Sequence, residues 1–182
     1  MRHMLCRCRP PAGVSLPIGA PSPARYGSAM SEHRATIEWA GGARPEDFVK
    51  LRYTREHRWS FDGGATALAS ASPSVVPAPW SNPSGVDPEE AYVASISSCH
   101  MLTFLFVAAK AGFAVATYRD EAVGVMTKTA AGVAWVSKVT LSPKITYAGD
   151  KQPTADELAK LHHAAHASCF IANSVKTEIV VA

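Results

Sequence analysis

Residues 87–109 form one uninterrupted stretch built to be a helix, and any fold of this chain must be arranged around it. Asp87 is placed to be the N-cap, Pro88 stands where a missing N–H costs nothing, and Glu90 completes an Asp-x-x-Glu capping box. Nothing breaks the helical pattern until Gly112. The run is apolar nearly all the way round, which predicts a central helix covered on most sides. A thiol, Cys99, sits half-way along it.

Residues 91–109 carry no charge and approach the length of a membrane span. Ser95, Ser97, Ser98, His100 and Thr103 crowd the middle, and no second such segment exists in the sequence, so the reading is a core helix and not a membrane anchor. The chain has 182 residues and a net charge of +3. Four arginines (Arg2, Arg7, Arg9, Arg25) and no acid fall in residues 1–29, which leaves −1 for the rest. No basic footprint for nucleic acid is visible. Four cysteines without a dense framework do not resemble a secreted disulfide scaffold, so the expected compartment is cytoplasmic.

Residues 1–30 read as a disordered leader or upstream extension: five of the thirteen prolines lie there without periodicity, and Met30 is an alternative start. Its Cys6-x-Cys8 pair has no partners for a metal site. Residues 31–182 read as a single domain. Strand patterns cover 35–39, 48–54 and 57–61; Asp62-Gly63-Gly64 marks a hairpin, and 65–72 returns. Together these form an N-terminal antiparallel meander, followed by a proline-rich loop over 73–86. Beyond the helix, strands are expected at 114–118, 121–129 and 133–147, with a break at Pro143. A second capping box, Thr154-x-x-Glu157, opens a C-terminal helix, and 176–181 closes as a strand. Strands and helices do not alternate, so the class is α+β and not a doubly wound parallel sheet.

Cys99 and Cys169 each follow small residues, Ser97-Ser98 and Ala167-Ser168, which permit close backbone approach. Such cysteines are either buried hydrophobes or a redox pair. Asp87-Pro88-Glu89-Glu90, the small-residue run to Cys99, and a second cysteine ahead of Phe170-Ile171-Ala172-Asn173-Ser174 resemble the OsmC/Ohr family of thiol peroxidases. The resemblance spans residues 34–182. It implies an intertwined α+β homodimer that reduces organic hydroperoxides at paired cysteines, recycled by an external dithiol and using no metal, flavin or other cofactor. By position it makes Cys99 the peroxide-attacking cysteine and Cys169 the resolving one. Glu89 matches the glutamate of an Asn-Pro-Glu signature in which this chain has Asp87. The family's arginine of the early β region corresponds to Arg55, with Arg58 as runner-up.

Only a thiolate attacks peroxide oxygen, and an apolar setting opposes ionisation. Cys99 stands three turns from its helix start, so a cation is required from elsewhere, with a carboxylate such as Glu89 to hold it. Ten helical residues put Glu89 about 15 Å from Cys99. The arginine–glutamate pair serving one Cys99 is therefore expected to come at least partly from a partner subunit. Two rival readings stand beside this one. His162, His166 and Cys169 fall at i, i+4 and i+7, an acceptable zinc spacing on a continuous helix. Alternatively the scaffold is a non-catalytic dimeric module for stress or ligand binding. His100 is expected to point away from Cys99 as a satisfied core residue.

Overall fold

The computed structural model describes residues 31–182, so the readings of the leader and of Cys6 and Cys8 lie outside the described residues. The described residues cluster into two compact units, residues 31–86 and Asp87–Ala182.

The first unit is a three-stranded antiparallel meander of β1 (Ala35–Glu38), β2 (His57–Phe61) and β3 (Thr66–Ala69), in the order β1-β2-β3. The β2–β3 hairpin closes where expected: Phe61 N–H donates to Ala65 O, Gly64 N–H to Phe61 O, and Gly64 takes a φ of 85°. One expectation fails. Residues 48–54 form no strand; Pro45–Phe48 is a short helix, α1, followed by turns. Pro45 at its first turn and the Arg44–Asp47 ion pair favour helix there, and Leu51 at φ 61° reverses the chain before it can extend.

The second unit is organised on α2 (Pro88–Lys110). Asp87 accepts from the Glu90 N–H, and the Glu90 carboxylate accepts from the Asp87 N–H, completing the capping box. The strands are β4 (Val115–Asp120), β5 (Val123–Lys128), β6 (Ala134–Leu141), β7 (Pro143–Tyr147) and β8 (Glu178–Val181). They form a β4-β7 pair and a β5-β6-β8 sheet in which β8 runs parallel to β6. The helices α3 (Ala155–Ser168) and α4 (Phe170–Ser174) precede β8, and the Thr154–Glu157 capping box opens α3.

Two hydrophobic clusters fasten α2. Its first half packs Ile96 against Val139 and Leu141 of β6, and its second half packs Phe104 and Ala108 against Phe113, Leu161 and Ala165. The buried positions Ile96, His100, Phe104 and Ala108 make a single stripe at four-residue spacing. The helix is thus not covered on most sides as its composition predicts: Leu102 and Phe106 are 61% and 59% exposed. By length and composition alone, α2 qualifies as a membrane span, with a mean hydropathy of 1.6. Its buried stripe is spent on α3 and the strands of its own unit.

Candidate functional site

The second unit brings Cys99 and Cys169 together. Cys99, half-buried on α2, lies with its Sγ 2.7 Å from the Sγ of fully buried Cys169, and both are free thiols. Cys169 is placed by a corner between two helices. It ends α3 with an extended backbone (φ −73°, ψ 118°) and serves as the N-cap of α4. Asn173 stitches the corner: its Nδ2 donates to Ala167 O at 3.1 Å, near the end of α3, and to Cys169 O at 2.9 Å, which also accepts from the Asn173 N–H.

The same corner aims donors at sulfur. Ala172 N–H points at Cys169 Sγ from 3.4 Å, and Ile171 N–H at Cys99 Sγ from 3.5 Å. Sequence reasoning missed α4 and sought a cation alone for Cys99. The available signal was slight: a cysteine is nearly isosteric with serine and can cap a helix start as serine does. Burial pushes the Cys169 thiol up to about 11, aided by its bond to Cys99 and opposed by the Ala172 and Ile171 amides. Cys169 therefore remains a protonated donor to Cys99 at neutral pH.

The other expected site residues lie on other segments of the chain. Glu89 occupies the first turn of α2, half-buried, and makes no hydrogen bond or ion pair within its unit. Arg55 belongs to the first unit, in the segment ahead of β2, where its guanidinium lies 3.7 Å from the centroid of the Tyr53 ring. Arg58 is an exposed β2 residue, in register with Glu38 and Leu68 of the flanking strands.

Of the expectations made of the histidines, the core placement of His100 holds and the zinc spacing of His162, His166 and Cys169 does not. His100 Nε2 meets His162 Nδ1 at 3.1 Å, with the rings stacked 10° from parallel, and His162 also stacks on Phe104. His162 is thus built into the α2–α3 contact. His100 is buried with its Nδ1 unpaired, so it is only half satisfied. Burial, reinforced by the neighbouring His162 and His166, lowers His100 to about 4. Burial likewise lowers His162 to about 4, against a smaller opposing pull from Asp120. With His162 turned to His100 and the Cys169 sulfur turned to Cys99, the i, i+4, i+7 set does not converge. Among the described residues no group of three or more His, Cys, Asp or Glu side chains is arranged to hold a metal ion.

The family model described as OsmC-like protein matches residues 81–182. An OsmC-like protein of unknown function from Vibrio cholerae is 51% identical; the match covers 84% of this chain and 99% of that one, with a TM-score of 0.80. An organic hydroperoxide resistance protein from Elizabethkingia anophelis shares the fold at 18% identity and TM-score 0.63, over 85% of this chain and 96% of that one. The corresponding protein of Bacillus subtilis does so at 15% identity and TM-score 0.57, over 85% and 100%. A comparison with curated proteins returned no match.

Proposed function

The chain belongs to the OsmC-like family, and on that premise we propose that it is a cysteine-based peroxidase that reduces organic hydroperoxides to alcohols. The observation that carries this reading is the 2.7 Å approach of Cys99 Sγ to Cys169 Sγ. Two unrelated core cysteines have no need of such proximity, whereas a peroxidatic and a resolving cysteine must come within bonding reach.

In the proposed cycle the Cys99 thiolate attacks the terminal peroxide oxygen. An S–O bond forms, the O–O bond breaks, and two electrons pass from sulfur to oxygen. The alkoxide takes a proton and leaves as the alcohol. Cys169 then attacks the Cys99 sulfenic acid, its thiol proton and the departing hydroxide forming water, and a Cys99–Cys169 disulfide results. An external dithiol reopens it in two exchange steps. Arg55 supplies the permanent cation for the thiolate and the leaving oxygen, and Glu89 orients that guanidinium.

Two parts of the reading concern the setting. The exposed Leu102 and Phe106 leave a face of α2 for a second copy, and a homodimer is the proposed assembly in which Arg55 and Glu89 serve Cys99. A cycle that needs a dithiol reductant suits a reducing compartment, and the cytoplasm is the proposed setting.

The test is to treat reduced protein with one equivalent of cumene hydroperoxide and map disulfides by mass spectrometry. The expected result is a Cys99–Cys169 bridge with stoichiometric loss of peroxide, abolished by Cys99→Ser. Thiols that stay free after the treatment would defeat the reading.

A further inference from the structure

The geometry points to Tyr53 as the positioning residue of Arg55, an inference that rests on the peroxidase reading of that arginine. A surface arginine is ordinarily a poor electrostatic tool, because its side chain samples many rotamers and meets its target in few of them. Arg55 is held instead. Its guanidinium carbon lies 3.7 Å from the centroid of the Tyr53 ring, within the range of a cation–π contact. One terminal nitrogen, NH1, donates to the carbonyls of both Leu51 and Tyr53. The backbone is fixed as well, since Arg55 N–H donates to Trp80 O at 2.8 Å.

The holder itself is braced. The Tyr53 ring stacks on Phe48 at 4.4 Å between centroids and 21° between planes, and meets Trp39 edge-on at 5.7 Å. Leu51 adopts a φ of 61°, a left-handed conformation that a leucine rarely takes, and its carbonyl is one of the two acceptors of NH1. A local cost of this kind persists only where surrounding contacts over-determine the segment. Only NH1 is used in these bonds. The remaining guanidinium donors, on Nε and NH2, make no hydrogen bond within the unit and are left for an anionic sulfur or oxygen. Tyr53 thus contributes a flat apolar support that orients the cation while leaving its free edge open. Its hydroxyl takes no part.

The experiment is a double-mutant cycle on the pre-steady-state consumption of one equivalent of tert-butyl hydroperoxide by reduced protein. Tyr53→Leu is expected to slow the reaction about tenfold, the order of a lost cation–π contact, and Tyr53→Phe to leave it unchanged. Arg55→Met should slow it further, and Tyr53→Leu added to Arg55→Met should have no additional effect. Tyr53→Met provides the ringless variant if the leucine form does not fold. An undiminished rate in the ringless variants, or an equal loss with and without Arg55, overturns the inference while the peroxidase reading stands. A wild-type rate in Arg55→Met, by contrast, removes the arginine from the mechanism and Tyr53 with it.

Discussion

Ile171 directs its backbone N–H at Cys99 Sγ from 3.5 Å, although the two residues lie on different helices and 72 positions apart. The donor exists because Cys169 breaks α3 and starts α4, so the residue that faces Cys99 also creates its amide neighbour. Cys169→Ser should preserve this corner, since serine is a good N-cap and keeps Ala172 N–H satisfied. The variant is expected to consume one equivalent of hydroperoxide and then stop, with a sulfenic acid on Cys99 that dimedone captures. Multiple turnovers with a dithiol in Cys169→Ser would show that resolution does not pass through Cys169.

The two thiols should differ in reactivity toward an alkylating agent. With its thiol pushed up to about 11, Cys169 presents roughly one thiolate per thousand molecules at pH 8. It is also fully buried, while Cys99 is partly open. Iodoacetamide at pH 8 is therefore expected to modify Cys99 first, and peptide mass spectrometry over a time course measures the order. Preferential labelling of Cys169 would reverse the assigned roles.

The stacked pair His100 and His162 predicts an acid limb in stability. Both are held neutral by burial, with folded values of about 4 against 6.5 in the unfolded chain. Between these values the unfolded chain binds protons that the folded chain does not. The stabilisation is thus complete above pH 6.5 and is lost as pH falls toward 4. Each histidine contributes a slope of up to about 1.4 kcal/mol per pH unit in that window. The groups facing the pair are His166, beside His100, and Asp120, beside His162. His100→Phe should flatten the slope by about one proton. Urea denaturation at several pH values from 4.5 to 7 checks this, and the slope is diagnostic even though the substitution also removes a hydrogen bond.

Most of the second unit was readable because its punctuation is local. The Asp87 and Thr154 capping boxes mark both long helices in the sequence, and both form with reciprocal hydrogen bonds. What failed was decided at longer range. The alternation at residues 48–54 suits a strand, but the Arg44–Asp47 pair and the turn at Leu51 hold that region as helix and loop, and its apolar residues pack as the cluster of Trp39, Phe48 and Tyr53. The even spread of apolar residues around α2 gave no sign of which stripe its own unit would bury. For the site, Cys99 and Cys169 were legible as residues. Their approach depends on a corner closed by Asn173, which no periodicity reveals.

The contact between α2 and the β5-β6-β8 sheet leaves no room beside Gly124. A Cβ placed there would stand 2.5 Å from Val93 Cγ2, and a valine on a helix has essentially one rotamer to offer. Gly124→Ala is therefore expected to destabilise by about 1–3 kcal/mol, seen as a lower urea midpoint. Val93→Ala in the same chain should recover part of the loss, giving a coupling that two independent sites would not show.

The open face of α2 makes the final prediction. Leu102 and Phe106 stand one turn apart on it, 61% and 59% exposed, while Ile96, His100, Phe104 and Ala108 are buried on another. Two large apolar side chains at i and i+4 on a long helix form a contiguous patch, and covering it with the same patch of a second copy would remove both from water. A symmetric pairing of this kind also sets two α2 helices side by side. The carboxylate of Glu89, about 15 Å along the helix from its own Cys99, then gains a route to the partner's site. Leu102→Glu with Phe106→Glu should convert a dimer to a monomer in sedimentation velocity and reduce hydroperoxide turnover by at least tenfold. A variant that sediments as a monomer yet keeps full activity would show that one chain completes the site alone.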